Sequence, residues 1–143
     1  MVFPRLFLVL IILSACGVTT NRTVSSTAIL KISKDNEEVL LIGDYSFPEV
    51  TLHSVHGGVL SAKAILSVKN GSLICTSEKS YTENSVTKLD LFINCNDGRI
   101  GEVAIALTRN EFTHQVSGFG VGSLNDNTTL KLIVGDITAP VDF

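Results

Sequence analysis

Hydrophobic and polar residues alternate along most of this chain. Two such segments, TAILKIS (Thr27–Ser33) and EEVLLIG (Glu37–Gly43), flank the charged turn Lys34–Glu37. Alternation over four to eight residues is typical of a strand with one buried face. We find no run of ten or more residues with a helical apolar stripe, whereas β-branched residues and turn signals are frequent. The sequence therefore predicts an all-β fold, a small antiparallel sandwich or barrel.

Two hairpin turns can be placed from their glycines. Asn70-Gly71 is a strong hairpin signal, because such turns need a positive φ; as a two-residue loop it pairs Val68 with Leu73. At Asn96–Gly98, only a three-residue loop with Gly98 in the left-handed region keeps the apolar residues of both strands on one face. A slip by one residue would move that set to the wrong face.

The segment VSGFGVGSL carries glycines at every second position, Gly118, Gly120 and Gly122. On a strand these three positions share one face, and Phe119 and Val121 cover the other. A face without side chains lets another backbone or a large ring approach closely, or lets a barrel strand bend sharply.

The N-terminus has the layout of an export signal over residues 1–15. Arg5 precedes the apolar run Leu6–Leu13, and small residues lead to Cys16. The run is too short to span a bilayer, since ten helical residues cover roughly 15 Å of a core roughly 30 Å thick. We therefore expect residues 1–15 to be removed on export. The alternative is a buried strand or helix.

The sequence LSAC (Leu13–Cys16) resembles the lipobox of bacterial lipoproteins. This resemblance implies that Cys16 is acylated and becomes the first residue of the mature protein. The residue after the cysteine, Gly17, is not acidic. In this respect the chain resembles lipoproteins that are anchored in the outer membrane and face the periplasm. Ordinary secretion with cleavage elsewhere is the alternative. We expect a flexible tether over residues 16–27, which are rich in Ser, Thr and Asn, and a single β domain over residues 28–143.

A second resemblance covers about the last fifty residues. The sequences CNDGRIG (Cys95–Gly101), GFGVGSLNDN (Gly118–Asn127) and LIVG (Leu132–Gly135) resemble the C-terminal part of small uncharacterised bacterial envelope lipoproteins. Asn127 stands where that pattern often has a turn glycine. The resemblance implies no activity.

Composition excludes several function classes. Removal of residues 1–15 takes away one basic residue, so the mature chain carries a formal charge of −4 and has no basic cluster. This argues against nucleic acid as a partner. His53 and His56 point to opposite faces if they lie on one strand, so we expect neither a metal nor another cofactor.

Cys75 and Cys95 remain beyond the lipobox cysteine. An exported protein in an oxidising compartment is expected to pair them. Two free buried thiols are the alternative.

These features favour a non-enzymatic lipoprotein, anchored in the envelope membrane through Cys16 and in contact with another envelope protein. A first alternative is an inhibitor of a cell-wall hydrolase, since some periplasmic lysozyme inhibitors are similar in size, anchoring and cysteine use. Its binding loop would be Ser77–Ser85, with Tyr81 and Glu83 as contacts. A second alternative is a carrier of an apolar ligand. We expect no enzymatic activity, because the sequence lacks a nucleophile, metal or acid–base motif.

Overall fold

The computed structural model of the chain describes residues 23–48, 62–81 and 87–135. Eight antiparallel strands form in these residues. Each pairs with its neighbours in sequence, and the first also pairs with the last, so that the sheet closes into a barrel. The all-β prediction is confirmed, and the architecture is the barrel. The strands are β1 (Thr23–Lys34), β2 (Glu37–Pro48), β3 (Ala62–Asn70), β4 (Leu73–Tyr81), β5 (Lys88–Cys95), β6 (Ile100–Arg109), β7 (Val116–Leu124) and β8 (Thr129–Gly135).

The barrel interior is filled with apolar side chains. They come from alternate positions of every strand, because successive side chains point to opposite faces of a sheet. Large side chains such as Leu30, Leu66, Leu91 and Leu132 are completely buried. An eight-stranded barrel has an interior just wide enough to be filled in this way.

Four hairpin connections lie at one end of the barrel, which we call the turn end. In the β1–β2 turn, Asp35 and Asn36 both have positive φ, 49° and 65°. This matches a type I′ turn, whose twist suits antiparallel strands. The predicted charged turn is therefore present.

The β3–β4 turn differs from the prediction. The two loop residues are Gly71 and Ser72, so that Val68 pairs with Cys75 and not with Leu73. Gly71 has a φ of 58°, as expected for the first central position of a type II′ turn. The register is shifted by two residues, which leaves every side chain on its predicted face.

The β5–β6 register is confirmed. Leu91 pairs with Val103, and the loop is Asn96–Gly98 with Gly98 at a φ of 90°. The Cys95 amide donates to the Arg99 carbonyl at 2.9 Å and closes the loop.

The glycines of β7 let the neighbouring strand β6 approach closely. Gly120 is buried on the inner face, while Phe119 and Val121 point outwards. A Cβ atom at Gly122 would collide with the backbone carbonyl oxygen of Glu102 on β6. The close approach of another backbone predicted for this face is thus observed.

The tether prediction is wrong over its last five residues. β1 begins at Thr23, not after Thr27, and its first residues pair with the end of β2. The polar composition misled because Ser26 points inwards, where its hydroxyl donates to the Val116 carbonyl at 2.8 Å. Residues 16–22 lie outside the described residues.

Candidate functional site

The predicted disulfide is present. Cys75 and Cys95 lie opposite each other on β4 and β5, and their sulfur atoms are 1.99 Å apart. Both residues are buried. The bond joins two strands that share only one further residue pair in the described residues, Thr76 with Asn94.

Tyr81 is not an exposed loop residue, which corrects the sequence-based prediction. It ends β4, and only 4% of it is exposed. Its ring stacks on Phe47, with centroids 4.2 Å apart and planes at 6°, and its hydroxyl donates to the Pro48 carbonyl. Burial and stacking against another ring stabilise a large aromatic side chain at an inward-facing position. Glu83, the second predicted contact, lies outside the described residues, as does Cys16.

Aromatic rings fill the end of the barrel opposite the turn end. Tyr45 lies next to Phe47, with centroids 6.1 Å apart, and the Arg109 guanidinium carbon is 5.0 Å from the Phe47 ring centroid. Burial raises the pKa of Tyr45 above its ordinary value, and the neighbouring Tyr81 raises it further. Tyr45 therefore stays protonated at neutral pH, as a packing group.

The outer wall of the barrel carries a continuous apolar surface. Strand register places Ile42 beside Ile29, Ile29 beside Ile133, Ile133 beside Phe119, and Phe119 beside Ala106. One level of the sheet is therefore apolar across five adjacent strands, from β2 through β1, β8 and β7 to β6. Ile42 is 54% exposed and Phe119 is 51% exposed. We call this surface, with the adjoining pair Val121 and Ala104, the apolar belt: Ile29, Ile42, Ala104, Ala106, Phe119, Val121 and Ile133.

A shallow groove of about 370 Å³ runs along one part of the belt. Phe119 and Val121 form one side of it, and the small side chains of Ala104 and Ala106 leave the space between β5 and β7 open. Contiguous exposed apolar surface of this kind marks interaction sites in soluble domains.

Charged residues border the belt. The Lys31 ammonium lies 2.7 Å from a Glu38 carboxylate oxygen. Lys131 is paired in the sheet with Lys31 on one side and Val121 on the other. Lys131 therefore lies at the edge of the belt, between the belt residue Val121 and the charged side chain of Lys31.

Sequence reasoning missed the belt. Alternation placed Phe119 and Val121 on one face of their strand but did not assign that face to the outside. The apolar residues at outward positions of β1, β2 and β8 were a further signal. Their contiguity depends on the pairing of β1 with β8, which lie more than ninety residues apart.

Polar side chains at the turn end hold the turns to one another. The Arg99 guanidinium lies 2.8 Å from Asp97 in its own turn and 3.9 Å from Asp126 in the β7–β8 turn. The Lys34 ammonium is 3.3 Å from the same Asp126. Hydrogen bonds from Thr128, followed by the charge of Lys34, lower the pKa of Asp126 to about 2. The pKa of Asp97 is lowered mainly by its hydrogen bond from the Arg99 side chain. These carboxylates are therefore ionised structural groups.

The described residues contain no group of three or more His, Cys, Asp or Glu side chains that could hold a metal ion. His53 and His56 lie outside them. Within the same ranges, no helix is long and apolar enough to cross a membrane.

No protein family model matches the chain, and neither does any curated protein or solved structure.

Proposed function

We propose that this chain is a non-enzymatic lipoprotein of the bacterial cell envelope, anchored in the outer membrane through acylated Cys16 and facing the periplasm. Its barrel binds another envelope protein through the apolar belt. The LSAC sequence supports the anchor. The contact role rests on the belt.

The observation that carries the contact role is the continuity of the belt over five strands. Scattered apolar residues are normal on any protein surface. Here the sheet register brings them together at one level, with the groove beside Phe119 and the Lys131 charge at the border. An apolar centre with a polar rim is the usual anatomy of a protein–protein interface.

The two alternative functions have weaker support. The inhibitor alternative needed Tyr81 as an exposed contact, and that side chain is buried. The carrier alternative needed an open lumen, and large side chains such as Phe47 and Leu66 occupy the interior.

Photo-crosslinking from the belt tests the contact role. The full chain is produced in a bacterium with a photoreactive phenylalanine analogue in place of Phe119. The matched control carries the same analogue in place of Phe92, which also faces outwards, is 54% exposed, and lies outside the belt on β5. We expect irradiation of cells to give one adduct of defined mass from position 119 and none from position 92.

A second change checks that the adduct depends on the belt. Val121→Asp adds a charge beside the crosslinker at an exposed position, so the barrel should still fold while the adduct is lost. An adduct with the mass of two copies of this chain would identify self-association in place of a different partner. Equal adducts from both positions, or none from position 119, would contradict the contact role.

A further inference from the structure

We infer that Phe112 inserts its ring into the lipid bilayer at the anchored end of the barrel and so fixes the orientation of the domain on the membrane. This inference rests on the proposed acylation of Cys16. Phe112 is 91% exposed, the highest value among the large apolar side chains in the described residues. It lies in the β6–β7 connection, residues 110–115, outside the apolar belt.

The β6–β7 loop is built to hold Phe112 outwards. The Asn110 side-chain oxygen accepts hydrogen bonds from the amides of Phe112 at 2.8 Å and Thr113 at 2.9 Å. The Asn110 amide donates to the Gln115 carbonyl, and the Asn110 carbonyl accepts from the His114 amide, both at 2.8 Å. With its backbone bonded in this way, the loop needs little further ordering of its backbone when the ring inserts.

The loop and the first residue of β1, Thr23, lie at the same end of the barrel. In an antiparallel barrel closed by β1 and β8, β6 ends where β1 begins. A hydrogen bond from the Ser26 hydroxyl to the Val116 carbonyl joins the first part of β1 to the first residue of β7, which directly follows the loop. Seven residue steps separate Cys16 from Thr23, a distance of at most about 25 Å even when fully extended. An acylated Cys16 therefore keeps the loop close to the bilayer surface.

The contribution of one inserted ring matters because the lipid anchor already holds the domain at the membrane. Transfer of a phenylalanine side chain from water into an apolar environment shifts its partition equilibrium by roughly 10- to 100-fold. That is too little to hold a free domain on a membrane. It is enough to select one orientation of a domain that the anchor already holds at high effective concentration. Glu111 precedes Phe112, so we expect insertion to depend on the ring and not on anionic lipid.

The test uses the fluorescence of an introduced tryptophan, which has no background from other tryptophans because the chain contains none. Full-length Phe112→Trp protein is extracted from membranes in detergent, and its intact mass is measured. It is then reconstituted into vesicles of phosphatidylethanolamine and phosphatidylglycerol, with or without brominated acyl chains. Phe119→Trp and Phe92→Trp are the controls, since both positions lie on the barrel wall.

We expect the indole of the Phe112→Trp variant to emit at shorter wavelength in vesicles and to be quenched by brominated lipid several-fold more than either control. The quenching should persist in vesicles of phosphatidylcholine alone. An acylated Phe112→Trp protein quenched no more than the controls would overturn the insertion and leave the anchor standing. A protein without acyl mass would overturn the anchor and, with it, the insertion.

Discussion

Two loops at the turn end are built from the same side-chain contacts. Asn96 and Asn125 open three-residue loops. The amide of each donates to a backbone carbonyl of a neighbouring strand, and its side-chain oxygen accepts the amide of the same residue. That residue is Ile74 on β4 for Asn96 and Ile100 on β6 for Asn125. The next residue in each loop is an aspartate whose carboxylate accepts the amide two residues on. At the third position a positive φ is needed.

Gly98 and Asn127 occupy that third position, with φ of 90° and 64°. Nothing lies within 4 Å of where a Cβ atom at Gly98 would be, so the backbone angle alone decides what is tolerated. We expect Gly98→Ala to lower the free energy of unfolding by about 1–2 kcal/mol, because a left-handed conformation disfavours a Cβ atom. Gly98→Asn should cost clearly less, as Asn127 shows for the equivalent position.

Urea denaturation of the two variants checks this prediction. An alanine variant as stable as the parent would show that the loop does not require a left-handed residue. The exchange Asn127→Gly is the reciprocal control and should change stability little.

At the level of the strands, the sequence predicted one register and missed another for a physical reason. At β5–β6, the competing loop differed by one residue and would have turned the apolar set outwards, so the pattern selected the right pairing. At β3–β4, the observed loop at Gly71 and Ser72 differs from the predicted one by a shift of two, which preserves every face. Hydrophobic pattern cannot distinguish such registers; turn geometry does.

The seam between β4 and β5 is the least paired in the barrel. It has two residue pairs in the described residues, against five or more at every other seam. The Cys75–Cys95 bond lies at one of these two pairs and closes a separation of 20 residues. The bond therefore stands where hydrogen bonding between strands is sparse.

Removal of the disulfide should weaken this seam first. We expect Cys75→Ala combined with Cys95→Ala to lower the free energy of unfolding by about 3 kcal/mol, because the bond restricts the unfolded chain. In the folded barrel, its loss also frees the β4–β5 seam to open locally. Amide exchange should rise more at Thr76 and Asn94 than along β1 and β2, as hydrogen-exchange measurements can show. Cys16→Ser, made as a control, should leave both quantities unchanged. Uniform acceleration over all strands would contradict a local role for the bond.

In the whole molecule, the barrel has two different ends, and its outer wall carries the apolar belt. The N-terminal residue of β1 and the Phe112 loop lie at one end, and the paired charges of Lys34, Arg99 and Asp126 lie at the other. An anchor at Cys16 would direct the first end to the membrane and leave the apolar belt accessible from the side. Closure of the barrel and the contiguity of the belt depend on pairing between the two termini of the domain, which local patterns do not encode.

The intact mass of the chain extracted from bacterial membranes tests the central claim, a lipid-anchored and disulfide-bonded barrel, most directly. It is measured before and after alkylation under denaturing conditions without reductant. We predict a chain that begins at Cys16, carries the mass of added acyl chains, and gains no alkyl group, because Cys75 and Cys95 are bonded. A soluble chain that begins at another residue would contradict the account.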